Sequence, residues 1–138
     1  MTNLKQPAAA LIAVLLMSGC IKRDEMSAVQ ATRNLGYNTP MNTAAFVDPG
    51  LERRFTVEQT SAARSATNTL IVKAEVRNRT EADTKLSLRT RFYDAQRQPV
   101  EESSWAVLYV AKRGLKTYET SSTRTDAVFY YVEVMEGR

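Results

Sequence analysis

The sequence lacks histidine altogether and contains a single cysteine, Cys20, among its 138 residues. A disulfide within the chain is therefore impossible, and the usual His and Cys ligand sets of transition-metal sites cannot be assembled. The commonest general acid–base group of enzymes is missing as well. We therefore expect no catalytic residues, no metal site and no cofactor, and we predict that the protein is not an enzyme.

A strong excess of charge of one sign is also absent, since 19 Lys and Arg residues stand against 15 Asp and Glu residues. The net charge of +4 falls to +3 if Lys5 is removed with an N-terminal signal segment. That weak excess favours contact with anionic lipid headgroups or cell-wall polymer, and it gives no reason to expect a nucleic-acid partner. An apolar content of 43% is ordinary for a globular domain.

The N-terminus has the features of a bacterial lipoprotein signal peptide. Lys5 precedes an uncharged apolar run from Ala8 to Met17, which is shorter than the ~20 residues of a membrane-spanning helix. The stretch Met17-Ser18-Gly19-Cys20 resembles the lipobox, in which small residues precede the cysteine that receives the lipid. We predict a signal peptide over residues 1–19 and lipidation at Cys20. The alternative is an ordinary secretory signal followed by a chance cysteine.

Lipidation predicts attachment to a membrane, because two or three acyl chains together make a lasting anchor. Ile21 stands where an Asp would retain an enteric lipoprotein in the inner membrane, so the lipoprotein class favours a periplasm-facing position on the outer membrane. Residues 20–45 contain Gly36 and Pro40 and show no sustained periodicity. We predict that they form the lipidated N-terminus and a flexible tether.

From residue 46 onward, short segments alternate apolar and polar residues. The clearest, over residues 68–78, places Leu70, Val72, Ala74 and Val76 on one face. Six or seven such segments, separated by turns at regular spacing, predict an all-β antiparallel β-sandwich over residues 46–138. We expect strands 68–78 and 86–94 to pair around the turn between them, and the strand around Trp105 to be covered on both faces.

Two groups of side chains are candidates for binding. The first is a basic strip on one sheet face, formed by Lys73, Arg77, Arg89 and Arg91, which could bind an anionic glycan or an acidic partner. The alternative is an ordinary solvated sheet face. The second group is aromatic and could fill the core or line a glycan-binding groove. Its members are Tyr93, Trp105, Tyr109, Phe129, Tyr130 and Tyr131.

Several segments resemble the YcfL-type (DUF1425) lipoprotein family. They are VDPGLERRFTVEQT at 47–60, LIVKAEVRNRTEADTKLSLRTRFYDAQRQPV at 70–100, Trp105 and the closing FYYVEV. Two departures are Gln96-Arg97, where the family usually has Gly, and Thr90, where an aromatic is common. The resemblance implies an Ig-like β-sandwich anchored to an envelope membrane. It carries no activity, although gene neighbourhood links some members to lipoprotein activators of peptidoglycan synthases.

These observations predict a membrane-anchored envelope lipoprotein with a non-catalytic periplasmic interaction domain, supporting cell-wall synthesis or an envelope assembly. The expected partners are the membrane, through the lipid at Cys20, and another periplasmic or envelope protein, with peptidoglycan as a further candidate. The alternative function is a glycan-binding module that docks on peptidoglycan or lipopolysaccharide through the basic strip.

Overall fold

The computed structural model describes residues 40–137, so the predicted signal peptide, Cys20 and most of the predicted tether lie outside the described residues. Eight strands and one short helix follow each other along this part of the chain. They are β1 (Thr43–Phe46), α1 (Leu51–Arg54), β2 (Phe55–Arg64), β3 (Leu70–Asn78), β4 (Thr84–Tyr93), β5 (Pro99–Glu102), β6 (Ala106–Val110), β7 (Leu115–Ser121) and β8 (Phe129–Glu136). Across residues 40–137, no helix has the length and apolar character needed to cross a membrane.

The strands form two sheets. Sheet A has the order β1-β8-β4-β5, with β6 pairing along β4 as well, and sheet B has the order β2-β3-β7. All pairs are antiparallel except β1 and β8, which run parallel. The predicted all-β sandwich is confirmed, with one strand more than expected. That strand, β1, begins at Thr43, inside the segment predicted as tether. The sequence did not indicate this strand, because four residues are too few to show an alternating pattern.

The predicted hairpin of β3 and β4 is wrong, because these strands belong to different sheets. Residues 79–83 carry the chain from sheet B to sheet A. Asn78 is fully buried and closes this crossover: its Nδ2 donates to the carbonyl of Ala82 at 2.7 Å, and its Oδ1 accepts from the amide of Thr80 at 2.9 Å. These hydrogen bonds hold the loop at the point where the chain leaves the sheet B ladder.

The core lies between the inner faces of the two sheets. The predicted alternation on β3 is confirmed, since Val72, Ala74 and Val76 are completely buried. Burial of each large apolar side chain stabilises the fold by about 1.5–3 kcal/mol. Sheet A contributes its inner face through Leu86, Leu88, Phe92, Leu108, Val110, Tyr130, Val132 and Val134.

A polar contact joins the sheets inside this core. Thr90, on the inner face of β4, is fully buried, and its Oγ1 lies 3.2 Å from the hydroxyl of Tyr118 on β7. Ser103 completes the cluster, since its Oγ accepts from the Thr90 amide at 2.9 Å and lies 3.4 Å from the Tyr118 hydroxyl. An aromatic residue at position 90, common in the resembling family, would displace this hydrogen-bonded arrangement.

A second polar contact joins β5 to the loop between β7 and β8. The Glu101 carboxylate accepts hydrogen bonds from the Ser122 hydroxyl and from the Thr123 amide and hydroxyl. Burial acts to raise the pKa of Glu101, but the hydrogen bonds from Ser122 and Thr123 outweigh it, and the pKa lies below its ordinary value. The ionised carboxylate therefore holds the two sheets together at this end.

The turn between β4 and β5 contains Gln96-Arg97, where the resembling family usually has Gly. The Asp94 carboxylate accepts from the amides of Gln96 and Gln98, each at 2.9 Å. Arg97 then adopts a φ of 60°, in the left-handed region that favours glycine. A glycine at this turn would adopt the same conformation without the steric cost of a side chain.

Candidate functional site

The structure separates the four cations of the predicted basic strip. Lys73 and Arg77 lie on β3, on the outer face of sheet B, whereas Arg89 and Arg91 lie on β4, on the outer face of sheet A. One strip is therefore not formed. Its prediction depended on the pairing of β3 with β4, which does not occur.

The two cations on sheet B are paired with carboxylates in solvent. The Lys73 ammonium lies 2.9 Å from Glu119, and both side chains are more than half exposed. Arg77 forms a two-nitrogen contact with Glu58, and this contact lowers the pKa of Glu58. Water screens such pairs strongly, so this face presents little net charge to a partner.

The two cations on sheet A belong to a denser network. Both Arg89 and Arg91 contact Glu102 of β5 and Glu133 of β8, whose side chain is only 12% exposed. Arg91 Nε lies 3.1 Å from Glu102 but makes no hydrogen bond among the described residues. The network therefore contains two cations, two carboxylates and an incompletely satisfied N–H.

Trp105 covers part of this network. The guanidinium carbon of Arg89 lies 4.5 Å from the centre of the indole ring, within the range of a cation–π contact. The tryptophan itself remains 42% exposed. The Arg89 guanidinium therefore packs against one part of the Trp105 ring, while another part of the ring faces solvent.

An exposed apolar row continues from Trp105 along β6. Val107 is 49% exposed and Tyr109 is 72% exposed, both on the outer face of sheet A. The expectation that this strand is covered on both faces is wrong, because Leu108 and Val110 are buried on the inner face only. We call the outer surface of sheet A formed by the following residues the aromatic face: Arg89, Arg91, Glu102, Trp105, Val107, Tyr109, Tyr131 and Glu133.

The remaining predicted aromatic residues divide between this surface and the core. Tyr130 is buried in the core, whereas Tyr93, Phe129 and Tyr131 occupy outer positions of sheet A. Burial raises the pKa of the Tyr93 and Tyr131 hydroxyls above the ordinary value of 10.0. Tyr93 is only 4% exposed, so it contributes little surface to this side of the sheet.

A cleft of about 400 Å³ opens at one end of the aromatic face. Tyr109 forms one wall, and Lys85, its register partner on β4, lies beside it. Asp83 accepts a hydrogen bond from the Lys112 amide at 2.8 Å and is thereby held at the cleft. The full lining consists of Asp83, Thr84, Lys85, Tyr109, Val110 and Ala111.

The described residues do not gather into a metal-binding cluster. Across residues 40–137 there is no group of three or more acidic, His or Cys side chains that could hold a metal ion. The two carboxylates of the aromatic face, Glu102 and Glu133, are both occupied by arginines. This arrangement can bind a surface by apolar contact and hydrogen bonds.

Sequence reasoning missed the acidic half of the network. Glu133 lies at an outward position of β8, directly opposite Arg89 in the register. Its signal was visible as one carboxylate inside the apolar segment FYYVEV. Glu102 gave no comparable signal, because it reaches the arginines through the pairing of β5 with β4.

Two solved structures share this architecture. A Campylobacter jejuni protein, cj0090, aligns with a TM-score of 0.58 and 13% identity, over 70% of this chain and 99% of that one. A DUF1425 family member from Shewanella sp. pv-4 aligns with a TM-score of 0.55 and 20% identity, over 61% of this chain and 79% of that one. This chain has the fold of a DUF1425 family member. No family model and no curated protein matches the sequence.

The Shewanella structure supports the DUF1425-type resemblance seen in the sequence, and the fold implied by that resemblance is confirmed. At 13% and 20% identity, the two structures establish the fold alone.

Proposed function

We propose that this protein is a DUF1425-type envelope lipoprotein whose sandwich domain binds another envelope protein through the aromatic face. The observation that carries the proposal is the exposed row of Trp105, Val107 and Tyr109 beside the half-buried arginine–carboxylate network. Tryptophan, tyrosine and arginine are the residues that most often dominate protein–protein binding energy. The described domain offers a binding surface of this kind.

The ion-pair network favours a protein partner because it fixes the surface before binding. Glu133 holds both Arg89 and Arg91, and Arg89 in turn lies against Trp105. Side chains that are already ordered lose little conformational freedom when a partner docks. Such a surface binds through apolar contact at its centre and charged groups around it.

The proposed position in the cell rests on the first twenty-one residues of the sequence. The apolar run and the lipobox-like residues ending at Cys20 support a lipid anchor, and Ile21 supports the outer membrane over the inner membrane. Mass spectrometry of the native protein tests this part directly. We expect an acylated Cys20 as the first residue, and an unmodified thiol or a retained Met1 would contradict the anchor.

The binding surface is tested by in-cell crosslinking followed by quantitative recovery of the partner. We expect Trp105→Ala to reduce the recovered partner at least tenfold, which corresponds to ~1.4 kcal/mol of binding free energy. Leu115→Ala is the matched control, since Leu115 is 43% exposed on sheet B and Trp105 is 42% exposed on sheet A. Equal recovery from both variants would contradict the proposal.

The glycan-binding alternative loses the strip on which it depended, because its four cations lie on two different sheets. Cosedimentation with purified sacculi distinguishes this alternative. If the partner is a protein, neither the unchanged protein nor an Arg89→Glu, Arg91→Glu double variant should sediment with sacculi. Sacculus binding that the double variant abolishes would replace the protein partner with peptidoglycan.

A further inference from the structure

A second surface lies on sheet B, at the edge of β2. β2 pairs with β3 along one side, and within residues 40–137 no other strand pairs with it. At ten residues it is longer than the outer strands β1, β5 and β6. An unpaired strand edge presents a row of backbone donors and acceptors that another strand can satisfy.

The ladder shows which backbone groups point outward. Just beyond β2, the Ser65 amide donates to the carbonyl of Thr69 at 2.9 Å, so these two residues form a hydrogen-bonded pair. Hydrogen-bonded and non-hydrogen-bonded pairs alternate in an antiparallel ladder. Counting back along the register, Thr60, Ala62 and Arg64 are therefore the residues whose N–H and C=O groups point away from β3.

This part of the edge lacks the usual protection against strand pairing. Ser61, Ala62 and Ala63 are small, uncharged and exposed, whereas edge strands are commonly blocked by lysine, proline or a bulge. The opposite edge of sheet B carries Lys116 and Glu119 on β7, and β5 in sheet A begins with Pro99. The bulge in β2 lies between Val57 and Gln59, before the unprotected part.

The side-chain environment also leaves room for an added strand. Ala62 is exposed although its register partner, Val72, is completely buried. At Thr60 the side chain meets the segment before β1, since its Oγ1 donates to the carbonyl of Asn42 at 3.4 Å. Arg64 is exposed as well. Its Nη1 donates to the carbonyls of Asn68 and Thr125, at 3.0 and 3.3 Å, and among the described residues no carboxylate pairs with it.

We infer that residues Thr60–Arg64 form a strand-addition site for an extended segment of a partner polypeptide. The outward N–H and C=O groups are complementary to the backbone of another strand. The small side chains accept a segment of β-branched or small residues, and Arg64 favours a carboxylate beside it. This site is separate from the aromatic face, and its test rests on the proposed function because it uses the complex recovered there.

Hydrogen exchange of the acylated full-length protein tests the site, alone and in the crosslinked complex recovered from cells. We expect the outward amides of Thr60, Ala62 and Arg64 to exchange rapidly in the free protein and at least tenfold more slowly in the complex, whereas the amides of Ser61 and Ala63, which bond β3, exchange slowly in both states. Equal exchange in both states would overturn the inference. Slow exchange in the free protein would overturn it too, by showing that an upstream segment of the same chain, or a second copy, occupies the edge.

A substitution provides an independent measurement. Ala62→Pro removes the outward N–H while leaving the β3 ladder intact, since the Ala62 amide does not bond β3. We expect it to lower recovery of the complex at least fivefold, whereas Ala62→Ser, the matched control, leaves recovery unchanged. Unchanged recovery with Ala62→Pro would overturn the inference. Two results together would reject this site and retain the aromatic face. Trp105→Ala would lose the complex, and segment 59–65 of the unchanged protein would exchange equally in the free and bound states.

Discussion

The outer faces of the two sheets both carry ion pairs between basic and acidic side chains, but these pairs differ in how deeply they are buried. On sheet B, Lys73 and Glu119 form an ion pair whose side chains are 53% and 55% exposed. On sheet A, the corresponding exposures are 20% for Arg89 and 12% for Glu133. The difference comes from neighbouring strands, because β5, β8 and Trp105 surround the sheet A pair. Charge on a sheet becomes structurally important only where adjacent strands exclude water from it.

The largest effect is expected from removing the most enclosed carboxylate of sheet A. Glu133→Ala leaves Arg89 and Arg91 without their shared partner, and we expect it to lower the free energy of unfolding by about 2–3 kcal/mol. Urea denaturation followed by fluorescence of Trp105, the sole tryptophan of the sequence, measures this change. A loss below about 0.5 kcal/mol would show that the two faces are energetically alike.

A smaller effect is expected from the contact that joins the sheets. Tyr118→Phe removes the hydroxyl next to Thr90 and Ser103 without creating a large cavity. We expect a loss of about 1 kcal/mol in the free energy of unfolding. Thr90→Val, measured by the same denaturation assay, should give a similar loss. If both variants are as stable as the unchanged protein, apolar packing alone holds the sheets together.

Glu101 makes the joint between the sheets sensitive to acid. Its pKa lies below its ordinary value of 4.5, so its contribution to stability is present at neutral pH. That contribution is lost as the pH falls through the lowered pKa. We expect Glu101→Gln to lower the urea midpoint at pH 7 and to differ less from the unchanged protein at pH 3. A constant difference at both pH values would contradict this account.

The smallest effect is expected on the outer face of sheet B. Glu119→Ala removes the exposed partner of Lys73, and we expect a change of at most about 0.5 kcal/mol that disappears in high salt. Comparison with Glu133→Ala in the same assay provides the direct contrast between the faces. A loss as large as that of Glu133→Ala would mean that side-chain exposure does not determine how much the ion pairs of the two faces contribute to stability.

Much of the fold could be predicted from local patterns. The alternation of Val72, Ala74 and Val76 identified a core-facing strand, and regular turn spacing identified an all-β sandwich. Strand partners could not be derived in this way, because a β3–β4 hairpin and a crossover between sheets have the same inward and outward residues. The buried Asn78, whose side chain bonds the crossover loop, lies in a sequence context that resembles an ordinary turn.

The candidate site was harder to predict because it depends on contacts between distant segments. Arg89 and Arg91 were identified as outward cations, and Trp105 as an aromatic candidate. Their proximity to Glu133 follows from the pairing of β4 with β8, which are separated by more than thirty residues along the chain. Periodicity assigns a residue to a face of a sheet, but strand order determines which residues share that face.

The parallel pairing of β1 with β8 gives the fold a mechanical property. The register from Thr43↔Tyr131 to Phe46↔Val134 joins the first and last strands of the described chain. A pulling force between the two termini acts along these strands in opposite directions, so it loads their backbone hydrogen bonds together rather than opening them one after another. We expect single-molecule stretching between the ends to meet its main resistance at this pair, and deletion of residues 43–46 to abolish that resistance.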